Sequence, residues 1–359
     1  MTRRPIRVVD SGVRRPTWHL SASAALAEGH RAGTTPDTLR LQSFPPCALV
    51  GRHQILEREV DGAWCAANDV TVARRITGGG AIVMAPGILG WELLLPAALF
   101  PGGLGEAAER IGGAVAAGLS GLGVDARFRP RNDVEVGGRK ISGMGGWFDG
   151  PTLLYQGTVL VQLDRKLIGR ALRWPGEKLG RHGAAAIEDR VSDLETLLGA
   201  PVPMVTVVEA LVGGLADGLG LDPVPGILRA AEEASADAVE RHEVGTPDFI
   251  AGPAPPSGDG VLSQTRRTPG GLLRAHLKPR PGGDGMIETV LFTGDGFVNP
   301  PRTLADLEAA LKDTSMQGCV ERARAMLAAS GASFLGCSSD DLLALLQELV
   351  DAHRNRETV

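Results

Sequence analysis

Residues 74–87 read RRITGGGAIVMAPG. Two arginines stand directly before three consecutive glycines, and a short apolar run follows. Val70–Arg75 and Ala81–Met84 carry strand-like patterns, so the glycines join two strands. Glycine lets backbone N–H groups come close to an anion and tolerates positive φ. Arg75 adds a planar fork of donors that matches phosphate oxygens. Arg74, Arg75, Gly78, Gly79 and Gly80 therefore suit a nucleotide or another anion. No GKS or GKT follows, so this is not a P-loop, and the G-x-G-x-x-G spacing is absent as well. A plain glycine turn with surface arginines fits the same residues, and the stretch alone leaves both readings open.

Outward from the glycines, the chain alternates between strand and helix signals without a regular βαβ rhythm. Helical patterns fall on Leu20–His30, Gly105–Leu122, Arg165–Leu172 and Val205–Leu219. Thr38–Val50, Glu92–Leu95 and Leu153–Leu163 read as strands. Asp133–Val136 and Arg139–Ser142, joined by Gly137-Gly138, read as a β-hairpin. The fold class is α+β. A Pro/Gly-rich stretch, IAGPAPPSGDG at residues 250–260, reads as a linker. The expected organisation is a catalytic part over 1–250, a linker over 251–262 and a small α+β part over 263–359. The last part has strands at Leu272–Leu277 and Met286–Phe292. Helices follow at Leu304–Leu311, Cys319–Ala329 and Ser339–Leu349, with Ser339 as N-cap.

The hairpin holds a second candidate. Lys140, just past a Gly-Gly turn and followed by Gly143, can place a compact charge between two anionic oxygens. An ordinary solvent-facing strand lysine is the alternative. Asp133 could steer Mg²⁺ or the nucleotide, or start a turn as Asx residues do.

Composition narrows the function classes. The chain has 359 residues, 43% of them hydrophobic, and a formal net charge of −5. That length supports two domains, and the negative charge argues against a non-specific nucleic-acid binder. No apolar run is long enough for a membrane helix, and no secretory signal is expected. Cys47, Cys65, Cys319 and Cys337 form no metal-ligand spacing. A reduced, cytoplasmic protein is the expectation, with a monomer as the default. Arg165, Lys166, Arg170 and Arg173 form a helix-spaced cationic face, which suits an acidic partner or plain solvation.

Four motifs in order now form a pattern: VGRHQ (50–54), ARRITGGGAIV (73–83), NDVEVGGRKISG (132–143) and QGTVLV (156–161). Together they resemble the lipoate–protein ligase A family of the biotin/lipoate ligase superfamily. KLGRHGAAAIEDRVSDLETLLG (178–199) and the tail from Pro269 to Pro301 are similar to later parts of that family, so the resemblance covers nearly the whole chain. It implies a biotin/lipoate-ligase-like catalytic domain with mixed sheets and packed helices, plus a C-terminal accessory domain. It implies activation of lipoate by ATP, with Mg²⁺, to lipoyl-AMP. The acyl group then passes to a lysine of an apo-lipoyl domain of a 2-oxoacid dehydrogenase subunit or a glycine-cleavage H-like protein. By position, Arg75, Gly78, Gly79, Gly80, Ala81, Ile82, Val83, Asp133 and Lys140 would contact ATP. Arg75, Lys140, Met84, Gly157, Thr158 and Trp91 would contact the acid. Lys140 would be the catalytic residue, and Asp133 a metal ligand.

The chain departs from that pattern around the acid. Met84 and Ala85 stand where the family carries histidine and aspartate, and Ile88 where it carries asparagine. Tyr155-Gln156 replace a histidine pair, and Ser23-Ala24 an acidic pair on the first helix. Met84, Ile88, Leu89 and Trp91 are expected to make a more apolar acyl pocket, or to be plain core. Two alternatives follow: a transferase that moves octanoyl groups without ATP, which needs a nucleophilic cysteine, and a degenerate acyl-AMP-binding protein. Gly294-Asp295-Gly296-Phe297 in the tail reads as a structural turn after a strand.

Overall fold

The computed structural model describes residues 3–173, 190–282 and 285–357. Residues 178–189 of the family-like segment lie outside the described residues. The chain divides into two compact units. The first comprises Met1–Val50, Glu57–Ile76 and Ala81–Ile250, and the second Gly51–Leu56, Thr77–Gly80 and Ala251–Val359.

In chain order the first unit runs β1 (Arg4–Val13), α1 (Pro16–Arg31), β2 (Thr38–Ser43), β3 (Cys47–Val50), α2 (Leu56–Glu59), α3 (Gly62–Ala67), β4 (Thr71–Arg74), β5 (Ile82–Met84), β6 (Ile88–Pro96) and α4 (Gly103–Ser120). It continues through β7 (Arg127–Arg129), β8 (Asp133–Val136), β9 (Arg139–Asp149), β10 (Thr152–Leu160), α5 (Arg165–Ala171), α6 (Leu194–Leu198), α7 (Met204–Leu219), β11 (Leu221–Gly226), α8 (Ala230–Val239) and α9 (Pro247–Ala251). Eight strands form one mixed sheet in the order β11-β1-β2-β6-β10-β9-β8-β7, and β4-β3-β5 form a second. β6 lies at the centre and is buried along nearly its whole length, as a strand covered on both faces must be. Leu26 and Ala27 of α1 pack on Leu94 and Leu154, so α1 covers one face of β6 and β10.

The second unit holds the antiparallel sheet β12 (Leu262–Thr268), β13 (Gly271–Pro279) and β14 (Ile287–Gly294), then the pair β15 (Phe297–Asn299) and β16 (Ser333–Leu335). α10 (Thr303–Leu311), α11 (Cys319–Ser330) and α12 (Ser339–Glu357) pack on it. Leu277, Phe292, Leu307, Leu311, Leu345 and Leu349 build its core. The architecture is α+β, as expected.

Three expectations need correction. Thr38–Val50 is two strands, because Phe44-Pro45-Pro46 interrupts it and proline cannot donate to a ladder. The cap of α12 is Ser338: its Oγ accepts from Asp341 N, and Asp341 Oδ2 accepts from Ser338 N. β1, β11, β12 and α8 went unrecognised. β11 is LDPVPG, whose two prolines are tolerated because it is an edge strand. Among the described residues no helix is long and apolar enough to cross a membrane.

Candidate active site

The hairpin β8–β9 positions Lys140. Gly137 and Gly138 have φ of 55° and 78°, the double positive φ that a two-residue hairpin turn demands. The register pairs Val134 with Ser142 but Glu135 with Lys140, so β9 carries one extra residue. A bulge of this kind re-aims the side chains beside it. Both backbone groups of Lys140 are held by a neighbouring segment: its N–H donates to Arg190 O, and its carbonyl accepts from Ser192 N. That segment is fixed in turn by Asp193, which caps α6 through Thr196 N and takes Arg165 at 3.2 Å.

The Lys140 ammonium stands 2.6 Å from Asp133 Oδ1, while Asp133 Oδ2 takes Arg129 at 2.6 Å. A Cβ at position 143 would lie 2.4 Å from Lys140 Nζ, so glycine there leaves the lysine its path. Lys140 is one-third exposed, so the charge remains open to an incoming anion. Thr158 Oγ1 donates to Gly143 O at 3.4 Å. Gly157 faces Trp91 across the β6–β10 pairing, and a Cβ at 157 would stand 2.3 Å from the indole. Among the sequence-predicted residues, Asp133, Lys140 and Thr158 thus meet around Gly143. Trp91 and Met84 are each 1% exposed. Met84 packs with Cys47, Leu49 and Ile88 in an apolar cluster.

Arg75 follows β4. Its N–H donates to Val50 O and its guanidinium to Leu49 O. β3 pairs parallel with β4 and antiparallel with β5, so the glycine-bearing connection leaves and returns at one end of β3. Ala81 and Ile82 are half-buried, and Val83 is buried.

Thr77–Gly80 packs within the second unit. Arg52 N donates to Thr77 O, and Gly51 lies so close to Gly79 that a Cβ on it would meet the Gly79 carbonyl at 1.9 Å. Gln54 ties this loop pair to the GDGF turn. Its Oε1 accepts from Gly51 N at 2.9 Å, and its Nε2 donates to Asp295 Oδ1 at 2.7 Å. Asp295 Oδ2 accepts from Leu272 N, and Gly294 N donates to His53 O. The GDGF stretch is a turn after a strand, and its carboxylate also grips the VGRHQ loop.

A polar network that sequence reasoning missed crosses the first unit's sheet beside Gln156. Arg40 on β2 and Glu92 on β6 are fully buried and paired at 2.6 Å. Arg40 also donates to His19 O and to Ser23 Oγ on α1, and reaches His19 Nδ1. Glu92 Oε2 accepts from Ser23 Oγ and from Gln156 Nε2. Burial pushes the Glu92 carboxyl up, but the Arg40 charge and these hydrogen bonds outweigh it and hold the group below the usual carboxylate range. Burial, and after it the Arg40 charge, push His19 down to about 4, so its ring is neutral. One signal was available: Arg40 and Glu92 each interrupt an apolar strand run, where a charge must be paired.

Among the described residues no three His, Cys, Asp or Glu side chains come together as a metal site. Asp133, expected as a metal ligand, has Oδ1 beside Lys140 and Oδ2 beside Arg129, so its carboxylate is held by two cations in this structure. Arg165 pairs with Asp193, while Lys166 and Arg170 are exposed on α5. Burial raises the thiol pKa of all four cysteines. Cys319 is pushed to about 11, and Cys337, with help from the Asp341 charge, to about 12.

The lysine on its bulged hairpin, the glycine connection and the mixed sheet define the biotin/lipoate ligase-like fold. The sequence profile of the lipoyl protein ligase A/B catalytic domain matches residues 15–216, and the chain belongs to that family. The octanoyltransferase LipM of Symbiobacterium thermophilum is 28% identical over 262 residues, which cover 67% of this chain and 95% of that protein. Plasmodium falciparum LipL1, solved in complex with lipoate, superposes with a TM-score of 0.69 at 14% identity over 97% of this chain and 99% of that one. A bipartite lipoate–protein ligase from Thermoplasma acidophilum gives a TM-score of 0.62 at 24% identity, covering 70% of this chain and 97% of that chain. Both structural likenesses bear on the fold.

Proposed function

We propose that this protein is an ATP-dependent acid–protein ligase. It activates lipoate, or a related medium-chain acid, as acyl-AMP and transfers the acyl group to a lysine of an apo-lipoyl domain. The observation that carries this reading is the contrast between two kinds of group. Lys140 is exposed enough to meet an anion and is aimed by Asp133 and Gly143. All four thiols, in contrast, have raised pKa values, and three are buried. An adenylating ligase needs the first and no enzyme nucleophile.

In the first step the acid's carboxylate oxygen attacks the α-phosphorus, and pyrophosphate leaves with the bonding pair of the broken P–O bond. Two anions must approach, and Lys140 supplies counter-charge that costs no reorganisation at the moment of reaction. In the second step the acceptor amine attacks the anhydride carbonyl, AMP leaves, and the amine loses a proton. Lys140 is suited to hold the carbonyl oxygen as negative charge builds on it. The Thermoplasma acidophilum ligase described with its E2 lipoyl domain supports an acceptor of that kind.

The likeness to LipM favours a second reading, octanoyl transfer without ATP. The deciding measurement is AMP and pyrophosphate release with Mg-ATP and lipoate, octanoate or no acid. Acid-dependent release that falls by about 10²–10³ in Lys140→Ala is the expected result. Octanoyl transfer from a carrier protein with no AMP released would favour the transferase instead.

A further inference from the structure

β9 loses one of its two neighbours before it reaches Lys140. Its pairing with β10 runs between Asp149 and Met144 and goes no further. On the other side Glu135 of β8 stands opposite Lys140. The edge left by β10 is filled by residues 190–192. Arg190 O accepts from Lys140 N at 2.8 Å, Ser192 N donates to Lys140 O at 2.9 Å, and Val191 bridges to Lys140 in parallel. These residues do for Lys140 what a ladder strand does for the rest of β9: they satisfy both backbone groups and fix the line of the chain. Two hydrogen bonds make a short splint, so its own direction must be set from elsewhere.

That anchor is Asp193. Its backbone is extended, with φ −134° and ψ 160°, and it N-caps α6. α6 is a helix of five residues, too short to persist on propensity alone, and Glu195 N ties it to Val161 O. The direction in which residues 190–192 meet α6 is therefore set at Asp193. Its carboxylate is held at both oxygens: Oδ1 accepts from Thr196 N at 2.9 Å, and Oδ2 takes the Arg165 guanidinium at 3.2 Å. The Asp193 side chain is 3% exposed, so its charge relies on that guanidinium, which reaches it from a side chain 35% exposed. A buried carboxylate that loses its cation is left uncompensated, and the structure around it must shift to hydrate it. Arg165 is itself well founded. It opens α5, whose N-cap Asp164 accepts from Leu167 N and whose Leu167 and Ala171 are buried.

We propose that Arg165 is a positioning residue for Lys140. Through Asp193 it holds residues 190–192 against β9, and so fixes where the lysine ammonium stands. This rests on the reading of Lys140 as the group that meets the reacting anions. A preorganised charge accelerates a reaction only while it is held where charge develops, and Arg165 supplies part of that hold without touching a substrate.

The test uses the full chain as wild type, Arg165→Ala, Arg165→Lys and Lys166→Ala. Lys166 is the next cation on the same helix and is exposed, so its removal controls for lost charge alone. Hydrogen exchange follows the amides of Lys140 and Ser192, with β6 as reference. Trace acetylation by acetic anhydride compares Lys140 with the exposed Lys312. Acid-dependent AMP release gives kcat and the KM for ATP. In Arg165→Ala both amides should exchange faster while β6 is unchanged, and Lys140 should label faster as its ammonium leaves Asp133. In the same variant kcat should fall about tenfold, with a smaller change in the KM for ATP. Arg165→Lys still brings a cation to Asp193 and should recover most of each effect, and Lys166→Ala should match the wild type. Unchanged amides, unchanged labelling or wild-type kcat in Arg165→Ala overturns the proposal, and so does an equal effect in Lys166→Ala. If the wild type releases no AMP with either acid, the ligase reading falls, and exchange and labelling decide the positioning alone. Both altered in Arg165→Ala and recovered in Arg165→Lys uphold it, and any other pattern overturns it.

Discussion

Lys140 and Gly143 are fitted to each other: a Cβ at position 143 would stand 2.4 Å from Nζ and 2.5 Å from Cε of Lys140. The obstruction would fall on the flexible end of a side chain, and Gly143 is not among the positive-φ glycines. Gly143→Ala should therefore leave the fold intact and push the ammonium off its place beside Asp133. A misplacement of about 1 Å can cost on the order of 10²-fold in rate. We expect kcat/KM for AMP release to fall at least about tenfold, while the thermal midpoint stays within about 2 °C of wild type. Loss of stability in parallel with activity would contradict this account.

The cysteines give a second prediction. Cys47, Cys65 and Cys319 are buried, Cys337 is half-buried, and each thiol is raised by desolvation. The thiolate is the reactive form, so the native protein should resist iodoacetamide at neutral pH and keep its activity. Mass spectrometry of the treated protein, with the assay run in parallel, checks both halves. Rapid alkylation of one cysteine with loss of acyl transfer would favour the transferase reading.

Much of this was legible in the sequence because the signals were local. The hairpin announced itself by Gly137-Gly138 between two short runs, and the long helices by their apolar period. What escaped depended on partners distant in the chain. β11 contains two prolines and becomes a strand only because β1 offers it a parallel edge. Arg40 and Glu92 are 52 residues apart, and each is intelligible only beside the other. The same holds for Asp295, whose motif reads as a turn until the VGRHQ loop is found bonded to it. Met84 was read both as pocket and as core, and its position among Cys47, Leu49 and Ile88 follows from the pairing of β3 with β5.

Asp295 supports a third prediction. Its carboxylate accepts from Gln54 Nε2 and from Leu272 N, and it is 7% exposed. Asp295→Ala would leave both donors without that acceptor, at a cost of about 1–3 kcal/mol. Because Gln54 also holds Gly51, and Arg52 bonds Thr77, the loosening should spread to both loops. Hydrogen exchange should accelerate at residues 51–54 and 77–80 and remain unchanged at β6 and β10. Exchange confined to the turn at 294–296 would show that the loops hold without it.

His19 gives the fourth. Its Nε2 meets Ser43 O at 2.9 Å, and its Nδ1 faces Arg40. The carbonyl can only accept, so the proton sits on Nε2 and Nδ1 accepts from the guanidinium. Burial and the Arg40 charge push the folded-state value down to about 4, from an ordinary value of 6.5. Between those values the unfolded chain binds a proton that the folded protein does not. Stability therefore rises with pH through this window and is lost as pH falls from about 6.5 toward 4. The displacement corresponds to a loss on the order of 3 kcal/mol. Glu92, held below the usual range, adds a loss of the same sign at still lower pH. Urea unfolding at pH 7.5 and pH 5 should show the wild type losing stability on acidification. His19→Gln has no titrating ring and should lose clearly less over the same interval. Equal losses in the two proteins would place the pH dependence elsewhere.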